Sequence, residues 1–501
     1  MDPTHVDVLV VGAGISGIGA AYHLQTRCPG KTYAILEGRE TMGGTWDLFR
    51  YPGIRSDSDM YTLGFSFRPW TNPKAIADGP AILQYLRDTA EAFGIDRKIR
   101  YGLRVERARW SSREAKWTVD VREVSSGRTI HYTCGFLFMC AGYYDYNAGY
   151  TPELAGKERF RGRVVHPQQW SPDVDYEGKR VVVIGSGATA VTLVPELAKK
   201  AAHVTMLQRS PSYVLSVPER DPIADWLREH LPSEPAYAIT RWKNVLLGMG
   251  FYNYSRYFPA HARKLLVGLV NKQIGHRVDI DPHFTPSYKP WDQRLCFVPD
   301  GDLFEALRSG RAEIVTDHIE SFTETGLRLR SGATLDADLV VTATGLNLKF
   351  LGGLGFDVDG EHIESSDTLV YKGMMFSDVP NLAFAVGYTN ASWTLKCDLT
   401  SAYVCRLLNY MSEHGHTQCV PRRNDPSLKA EPIINFSSGY VQRALDQMPK
   451  QGSFAPWKLY QNYALDLLTL RHAPIADGAM EFSTPNRSAT AETITTEASP
   501  A

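Results

Sequence analysis

The sequence has no excess of charge: 54 Lys and Arg stand against 55 Asp and Glu, a net of -1. The basic balance that would grip a nucleic-acid backbone is missing, and nucleic-acid binding is not expected. Cysteines are few. The seven, Cys28, Cys134, Cys140, Cys296, Cys397, Cys405 and Cys419, form no C-x-x-C and no zinc spacing, which removes a dithiol redox centre and argues against a metal site. In their apolar surroundings they read as buried, reduced thiols. No uninterrupted apolar run is long enough to span a bilayer. The first glycine cluster begins at Gly12 and leaves no room for a secretory leader, so a cytoplasmic protein is expected. What the chain does have is length: 501 residues exceed a single core, and two or three domains are expected.

The plan of the chain is duplicated. "VDVLVVGAGISG" (Val6 to Gly17) and "KRVVVIGSGATA" (Lys179 to Ala190) each run from β-branched residues through G-x-G-x-x-[GA] into helix-favouring residues. Each predicts a strand, a tight turn and a helix. One such glycine pattern is weak evidence, since glycines close ordinary turns, but the context strengthens the first. A second apolar strand, "TYAIL", ends in Glu37, twenty residues after Gly17, where an acid can accept from ribose hydroxyls. Gly12 allows the turn, Gly14 lets the backbone approach a pyrophosphate, and Gly17 lets the helix pack on the strand while its first amides, Ser16 among them, face the phosphates.

The second turn, Gly185, Ser186, Gly187, Ala188, Thr189, Ala190 and Val191, differs where the acid stood. Counted from its first glycine, the position of Glu37 falls at Ser210, beside Arg209 at the end of "HVTMLQRS". An acid would repel a 2′-phosphate, whereas Arg209 can bind one by charge-assisted hydrogen bonds. NADPH is therefore expected at the second turn and a dinucleotide such as FAD at the first. Without that context, Arg209 reads as a solvated charge at a strand end.

Two later apolar runs end in matching turns, "FLFMCAG" (Phe136 to Gly142) and "DLVVTATG" (Asp338 to Gly345), and read as closing strands of the two nucleotide-binding halves. "NLAFAVGYTNASW" would then return the chain to the first. The expected fold is α/β, with two Rossmann-like dinucleotide-binding domains and a helical insertion. The FAD domain is placed at 1–145 and 379–501, the NADP domain at 146–215 and 296–378, and the insertion at 216–295. The insertion is aromatic and basic, with no Asp or Glu between Glu234 and Asp279. It reads either as a membrane-facing amphipathic surface or as helices packed over a cleft; its interrupted apolar runs favour the second. The polar, aperiodic tail from about residue 483 is expected to be disordered.

Between the two turns lies "FRGRVVHPQQWS" (Phe160 to Ser171). Phe160, Gly162, His166 and Trp170 fit F-x-G-x-x-x-H-x-x-x-W. This resembles the fingerprint of type I Baeyer-Villiger monooxygenases, which stands in that family between the FAD and NADPH signatures. Ser171 follows the Trp where the family usually has Pro or Asp, and Pro172 comes one step later. The resemblance runs from about Val6 to about Leu470. Through "GGTWDLFRYPGIRSDSDMYTL", "PWDQRLC" and "GYTNASWTLK" it extends to the ethionamide-activating subgroup.

The resemblance implies an NADPH- and O2-dependent flavin enzyme that inserts an oxygen atom next to a ketone carbonyl, giving an ester or lactone, with sulfide or thioamide oxygenation as a second activity. A sulfoxidising monooxygenase and a non-catalytic nucleotide sensor are the alternatives. Thr45, Trp46 and Asp47 in "GGTWD" and Val105 resemble flavin contacts, and Arg55, Ser56 and Asp57 the segment where flavin meets nicotinamide. Arg294 in "WDQRLC" matches the family's active-site arginine. A guanidinium stays charged and can stabilise developing negative charge, with Asp57 orienting it. From sequence alone Asp57 also reads as a helix cap and Arg294 as a surface charge. His166 reads equally as a brace at a domain junction or as a proton-transfer residue.

Overall fold

The structure, a computed structural model, describes residues 4–434 and 436–484. Two mainly parallel sheets dominate it. In the first, the strand Thr4–Val11 lies between Tyr33–Leu36 on one side and Thr129–Met139 on the other, all parallel. Val8 and Val10 pack into one apolar layer while Leu9 and Val11 pack into the opposite one. That explains the unbroken apolar run: a strand covered on both faces has no polar side. Beyond Tyr33–Leu36 comes Ile99–Arg100, and Leu382–Phe384 joins the far end of Thr129–Met139. An antiparallel extension, Leu103–Ser111 and Lys116–Glu123, continues from the other half of that long strand.

The second sheet repeats the logic. Its parallel order is Ala312–Thr316, His203–Gln208, Arg180–Ile184, Leu339–Thr342 and Arg163–Val165. Val181 and Val183 face one core, Val182 and Ile184 the other. In both sheets the glycine turn follows a central strand whose neighbours on its two sides lead the chain away in opposite directions. That is the crevice where open parallel sheets bind ligands.

One expected boundary is corrected. Gly355–Val358 pairs in parallel with Arg107–Trp110, and Glu361–Ile363 pairs with Gly355–Val358, so residues 355–363 belong to the first sheet. The chain has left the second sheet well before residue 378. A four-residue strand at a sheet edge has too few positions to display a period, and only its distant partner identifies it.

The chain crosses between the sheets through two segments that pair with each other. Tyr144–Gly149 and Leu346–Leu348 form an antiparallel ribbon, Leu346 opposite Gly149 and Leu348 opposite Tyr144. The insertion is clasped at its base by Val214–Val217 pairing with Cys296–Pro299. It contains the helices Pro222–His230, Ser233–Tyr257 and Pro259–Ile274. Asp221 caps the first through the amides of Ile223 and Ala224, as short polar side chains do. Among the described residues no helix is long and apolar enough to cross a membrane. All seven cysteines are buried and unbonded. Ser483 closes a strand, Met480–Ser483, that pairs with Gln418–Pro421; the rest of the expected tail, from 485 on, lies outside the described residues.

Candidate functional site

A cleft of roughly 500 Å³ runs from the first glycine turn to Ala188 and Thr189 of the second, a size within the range of small-molecule and cofactor sites. At its first end Gly12 has φ +104°, and a Cβ there would meet the Cys140 carbonyl oxygen at 2.6 Å. A Cβ on Gly17 would sit 1.9 Å from the Gly12 oxygen. The helix Ile15–Arg27 begins at Gly14 with no side-chain cap, so its first amides are free to receive an anion. A Cβ on Gly14 would rest in ordinary contact with the Gly44 backbone, 3.6 Å from its Cα, so the two glycine segments pack side by side in the cleft wall.

Glu37 lines the cleft at the end of its strand. One carboxylate oxygen accepts from the Ala13 amide at 2.8 Å and the other from the Arg39 amide at 2.9 Å. Burial raises its pKa, and the two amides only partly offset that. Ser16 Oγ accepts from Trp393 Nε1 at 2.8 Å, tying the turn to the helix Trp393–Glu413. Thr45, Trp46 and Val105 also line the cleft. The free amides and the ribose-height carboxylate fit FAD.

Asp47 was expected in the same wall and stands behind it. Only 1% exposed, it accepts from Arg39 Nη2 at 2.5 Å, Thr41 Oγ1 at 2.7 Å and Arg50 Nη2 at 2.9 Å. Its carboxylate is consumed in holding Arg39, which does line the cleft. Gly17, Ala190 and Val191 are buried on the sheet side of their helices and do not line the cleft. The helical turn aims them at their sheets, and they serve packing rather than contact.

At the second end Ala188 and Thr189 line the cleft, whereas Gly185, Ser186, Gly187, Arg209 and Ser210 lie outside it. Gly185 has φ +141°, and Ser186 Oγ donates to the Ser210 carbonyl at 2.9 Å. The second turn and the end of the strand carrying Arg209 are thus held together, with Arg209 exposed beside them. These groups suit the phosphates of NADPH.

Arg55, Ser56, Asp57 and Arg294 meet between the two ends. Arg55 donates to Asp302 at 2.5 Å, linking this loop to a helix of the second layer, Asp302–Arg308. Ser56 Oγ shapes the loop, donating to the Ser58 carbonyl and accepting from the Ser58 amide. Asp57 caps no helix; the cap of Met60–Leu63 is Asp59. Arg294 Nη1 donates to Asp57 Oδ2 at 3.3 Å. Desolvation works against the Arg294 charge, but Asp57 and the phenol groups of Tyr143, Tyr440 and Tyr144 outweigh it and hold the guanidinium's pKa above its ordinary value. The same surroundings, burial first, push Tyr144 and Tyr440 up to about 12.

Arg294 and Tyr143 also line a second, apolar pocket. Phe350, Phe384, Ile433, Phe436 and Met448 form its body, and its far end is polar: Lys396 Nζ lies 2.8 Å from Asp466 Oδ2, which also accepts from Tyr388 at 2.6 Å. These residues escaped the sequence reading. Tyr143 and Tyr144 directly follow the apolar run that ends in "CAG", a position that could have flagged them; Lys396 is the last residue of "GYTNASWTLK", which carries the resemblance without giving it a role, and nothing in the sequence marks Tyr440.

The fingerprint residues work on the linker. Phe160 is buried against Phe322, ring centroids 5.5 Å apart, and a Cβ on Gly162 would meet the Asp338 carbonyl oxygen at 2.6 Å. Trp170 packs on the core of the second sheet. His166 lines the cleft, but both ring nitrogens are engaged by backbone: Nε2 donates to the Gly345 carbonyl at 3.0 Å and Nδ1 accepts from the Gln168 amide at 3.1 Å. Burial lowers its pKa, the bond to Gly345 notwithstanding. Its ring lies so close over Gly149 that a Cβ there would fall 2.0 Å from Cε1. So bonded, His166 is a brace with no free nitrogen to exchange a proton.

The profile of the "Flavin-binding monooxygenase-like" family matches residues 69–387, and an "NAD(P)-binding Rossmann-like domain" matches residues 10–76. The chain is 55% identical over 480 residues to "FAD-containing monooxygenase EthA" of Mycobacterium tuberculosis, covering 96% of this chain and 98% of that one. It is 48% identical to "Probable FAD-binding monooxygenase AlmA" of Acinetobacter baylyi over 95% of this chain and 96% of the other. Among solved structures, an oxidised steroid monooxygenase bound to NADP superposes with a TM-score of 0.73 at 24% identity, covering 96% and 99% of the two chains. Cyclohexanone monooxygenase bound to ε-caprolactone gives 0.72 at 21%, covering 96% and 100%. Two stacked nucleotide turns, an arginine held between them, and relatives this similar over nearly their whole length lead to one assignment: the chain belongs to the flavin-binding monooxygenase-like family.

Proposed function

We propose that this monooxygenase carries out Baeyer-Villiger oxidation, using NADPH and O2 to insert an oxygen atom beside a ketone carbonyl. The observation that carries the reading is the position of Arg294, whose side chain borders both the two-nucleotide cleft and the apolar pocket. A ketone whose apolar body fills that pocket would present its carbonyl at the guanidinium.

FAD, with NADPH and O2, supplies the oxidising chemistry when bound. Gly12, Gly14, Ser16, Glu37, Thr45, Trp46 and Val105 hold the flavin nucleotide in this reading. The second turn, with Arg209 and Ser210, holds the NADP phosphates. Arg294 keeps its charge under all working conditions and stabilises negative charge on the substrate oxygen as the carbonyl is attacked. Asp57 orients Arg294, and Arg55 fixes the loop through Asp302. The phenyl and aliphatic lining excludes water, and the Lys396–Asp466–Tyr388 group closes the far end of the pocket. His166 positions the linker. The NADP-bound and lactone-bound structural neighbours accord with this reading.

The test is turnover of the FAD-loaded enzyme with NADPH and oxygen-18 gas on a panel of ketones and sulfides, with products read by mass spectrometry. One labelled atom in an ester or lactone is the expected result. Label found only in sulfoxides would make the enzyme a sulfur oxygenase, and substrate-independent NADPH use without oxygenated product would leave a nucleotide-binding protein.

A further inference from the structure

The insertion has a face that the oxygenation chemistry does not use. On its long helix, Ser233–Tyr257, the residues Ile239, Trp242, Leu246 and Tyr257 recur at helical spacing along one side. Leu246 is 61% exposed, Leu247 beside it 65% and Tyr257 79%. The opposite side of the helix is fixed to the protein. Buried Arg241 donates to the carbonyl oxygens of Tyr61 at 2.7 Å and Gly64 at 2.8 Å, and the Tyr237 hydroxyl donates to Phe65 at 3.0 Å. The helix therefore cannot roll to hide its apolar stripe.

The patch continues past both ends of the stripe. The rings of Tyr254 and Phe258 lie 5.8 Å apart, and that of His261 lies 6.4 Å from Phe258, which carries the exposed surface round the turn into the helix Pro259–Ile274. Trp242 lies 5.8 Å from Tyr463, at the start of the helix that carries exposed Leu468 and supplies Asp466 to the apolar pocket.

Charge decides what covers this face. Between Glu234 and Asp279 there are seven Lys and Arg and no carboxylate. Lys243 is bound by Asp221, Arg256 by Asp292, and Arg241 is buried. Arg263, Lys264 and Lys272 are exposed and form no ion pair among the described residues. A second copy meeting this face across a two-fold axis would bring the same cations together. Apolar side chains with Trp and Tyr among them, and cations without acids, match instead the boundary of an anionic bilayer, where rings and aliphatic groups enter the headgroup layer and cations meet lipid phosphates.

We propose that the insertion docks this enzyme on anionic membranes, with Trp242, Leu246, Leu247 and Tyr257 inserted and Lys264 and Lys272 on the headgroups. The docked face lies directly over the helices that wall the apolar pocket: Val245 packs with Tyr388 and Leu395. Water-insoluble substrates dissolved in the bilayer would then reach the enzyme by partition.

The test uses the full FAD-loaded chain and phosphatidylcholine vesicles with and without phosphatidylglycerol, read by co-sedimentation. Binding is expected only with the anionic lipid and falls with added salt. Leu246→Glu with Tyr257→Glu should lower the partition coefficient by about tenfold or more. Lys264→Glu with Lys272→Glu should lower it by about fivefold or more for each cation lost. Flavin spectrum and unfolding midpoint report that each variant is folded. Quenching of wild-type tryptophan fluorescence by brominated lipid reads the same contact without any substitution. Wild-type protein left in the supernatant with every lipid overturns the proposal, as does binding that both variant pairs retain. Light scattering that shows a dimer dissolved by Leu246→Glu, with no vesicle binding, would assign the face to a second copy and equally overturn it.

Discussion

The two glycine turns have the same sequence plan and are built to different tolerances. At the first, the helix lies so close to the strand that position 17 has no room for a methyl group, and the turn sits deep in the cleft wall. At the second, position 190 already carries a methyl, fully buried, and Gly187 is exposed where its counterpart Gly14 is half-buried. In the reading proposed above, the first turn holds the flavin nucleotide and the second, more open one the NADP that exchanges with each turnover.

The sharpest way to break this comparison is at the helix contacts. Gly17→Ala places a Cβ on the Gly12 carbonyl and should cost about 4 kcal/mol or more, enough to prevent recovery of flavin-loaded protein. Ala190→Gly, the matching change in the second turn, should leave a folded yellow enzyme destabilised by about 1–2 kcal/mol. Expression yield, flavin content and thermal unfolding report both; equal behaviour of the two variants would show that the turns do not differ.

Arg294→Met tests the group between the turns. Both nucleotides should still bind, while oxygenated product falls about a hundredfold to a thousandfold, the usual loss for one well-placed electrostatic stabiliser. NADPH oxidation should then release hydrogen peroxide into solution in place of ester. Product and peroxide quantified side by side check this, and ester formation within about threefold of wild type, against that expectation, would move the role to another residue.

How much of this was legible before the structure follows from what a spacing can express. The glycine turns, Glu37 and the closing strands are local patterns, and local patterns survive folding. Arg294 could be named through its resemblance, but its meeting with Asp57, separated from it by 236 intervening residues, is a property of the assembled layers. Asp47 shows the limit from the other side: its neighbours Thr45 and Trp46 do line the cleft, yet spacing does not say whether a carboxylate faces the cleft or the arginines that hold its wall. Lys396 stands in a segment the resemblance marks, yet its role was illegible, because a lysine inside an apolar helix looks like an exposed face until its partner Asp466 arrives from another helix.

A smaller effect separates the turns by cofactor. Arg209→Ala should weaken NADPH use by about tenfold to a hundredfold through loss of a charge-assisted hydrogen bond, and leave NADH use nearly unchanged. Flavin content should not alter, since Arg209 lies at the second turn alone. Steady-state kinetics with both nucleotides decide it; an unchanged preference would remove the 2′-phosphate from Arg209.

The smallest effect concerns the linker between the turns. Burial lowers the pKa of His166, so the folded protein favours the neutral ring and the unfolded chain binds the extra proton. Its contribution is present above about pH 6.5 and is lost as pH falls through that value toward the lower folded pKa. A protonated Nδ1 also cannot accept from the Gln168 amide. His166→Ala should cost about 1 kcal/mol near neutrality and flatten this part of the stability profile, as seen in unfolding midpoints between about pH 5 and 7. An identical slope in the variant would assign the dependence elsewhere.

The ribbon formed by Tyr144–Gly149 and Leu346–Leu348 has a mechanical meaning. Two separate chain crossings could allow the layers to shear, twist or slide, but two crossings bonded side by side behave as one axle. A turn of one layer against the other would pivot on that line, and it would have to release the Arg55–Asp302 pair that joins them away from it. Gly149 and Gly345, both held by the His166 ring, lie on or beside it and are displaced least, while groups farther out on the second sheet sweep through larger arcs.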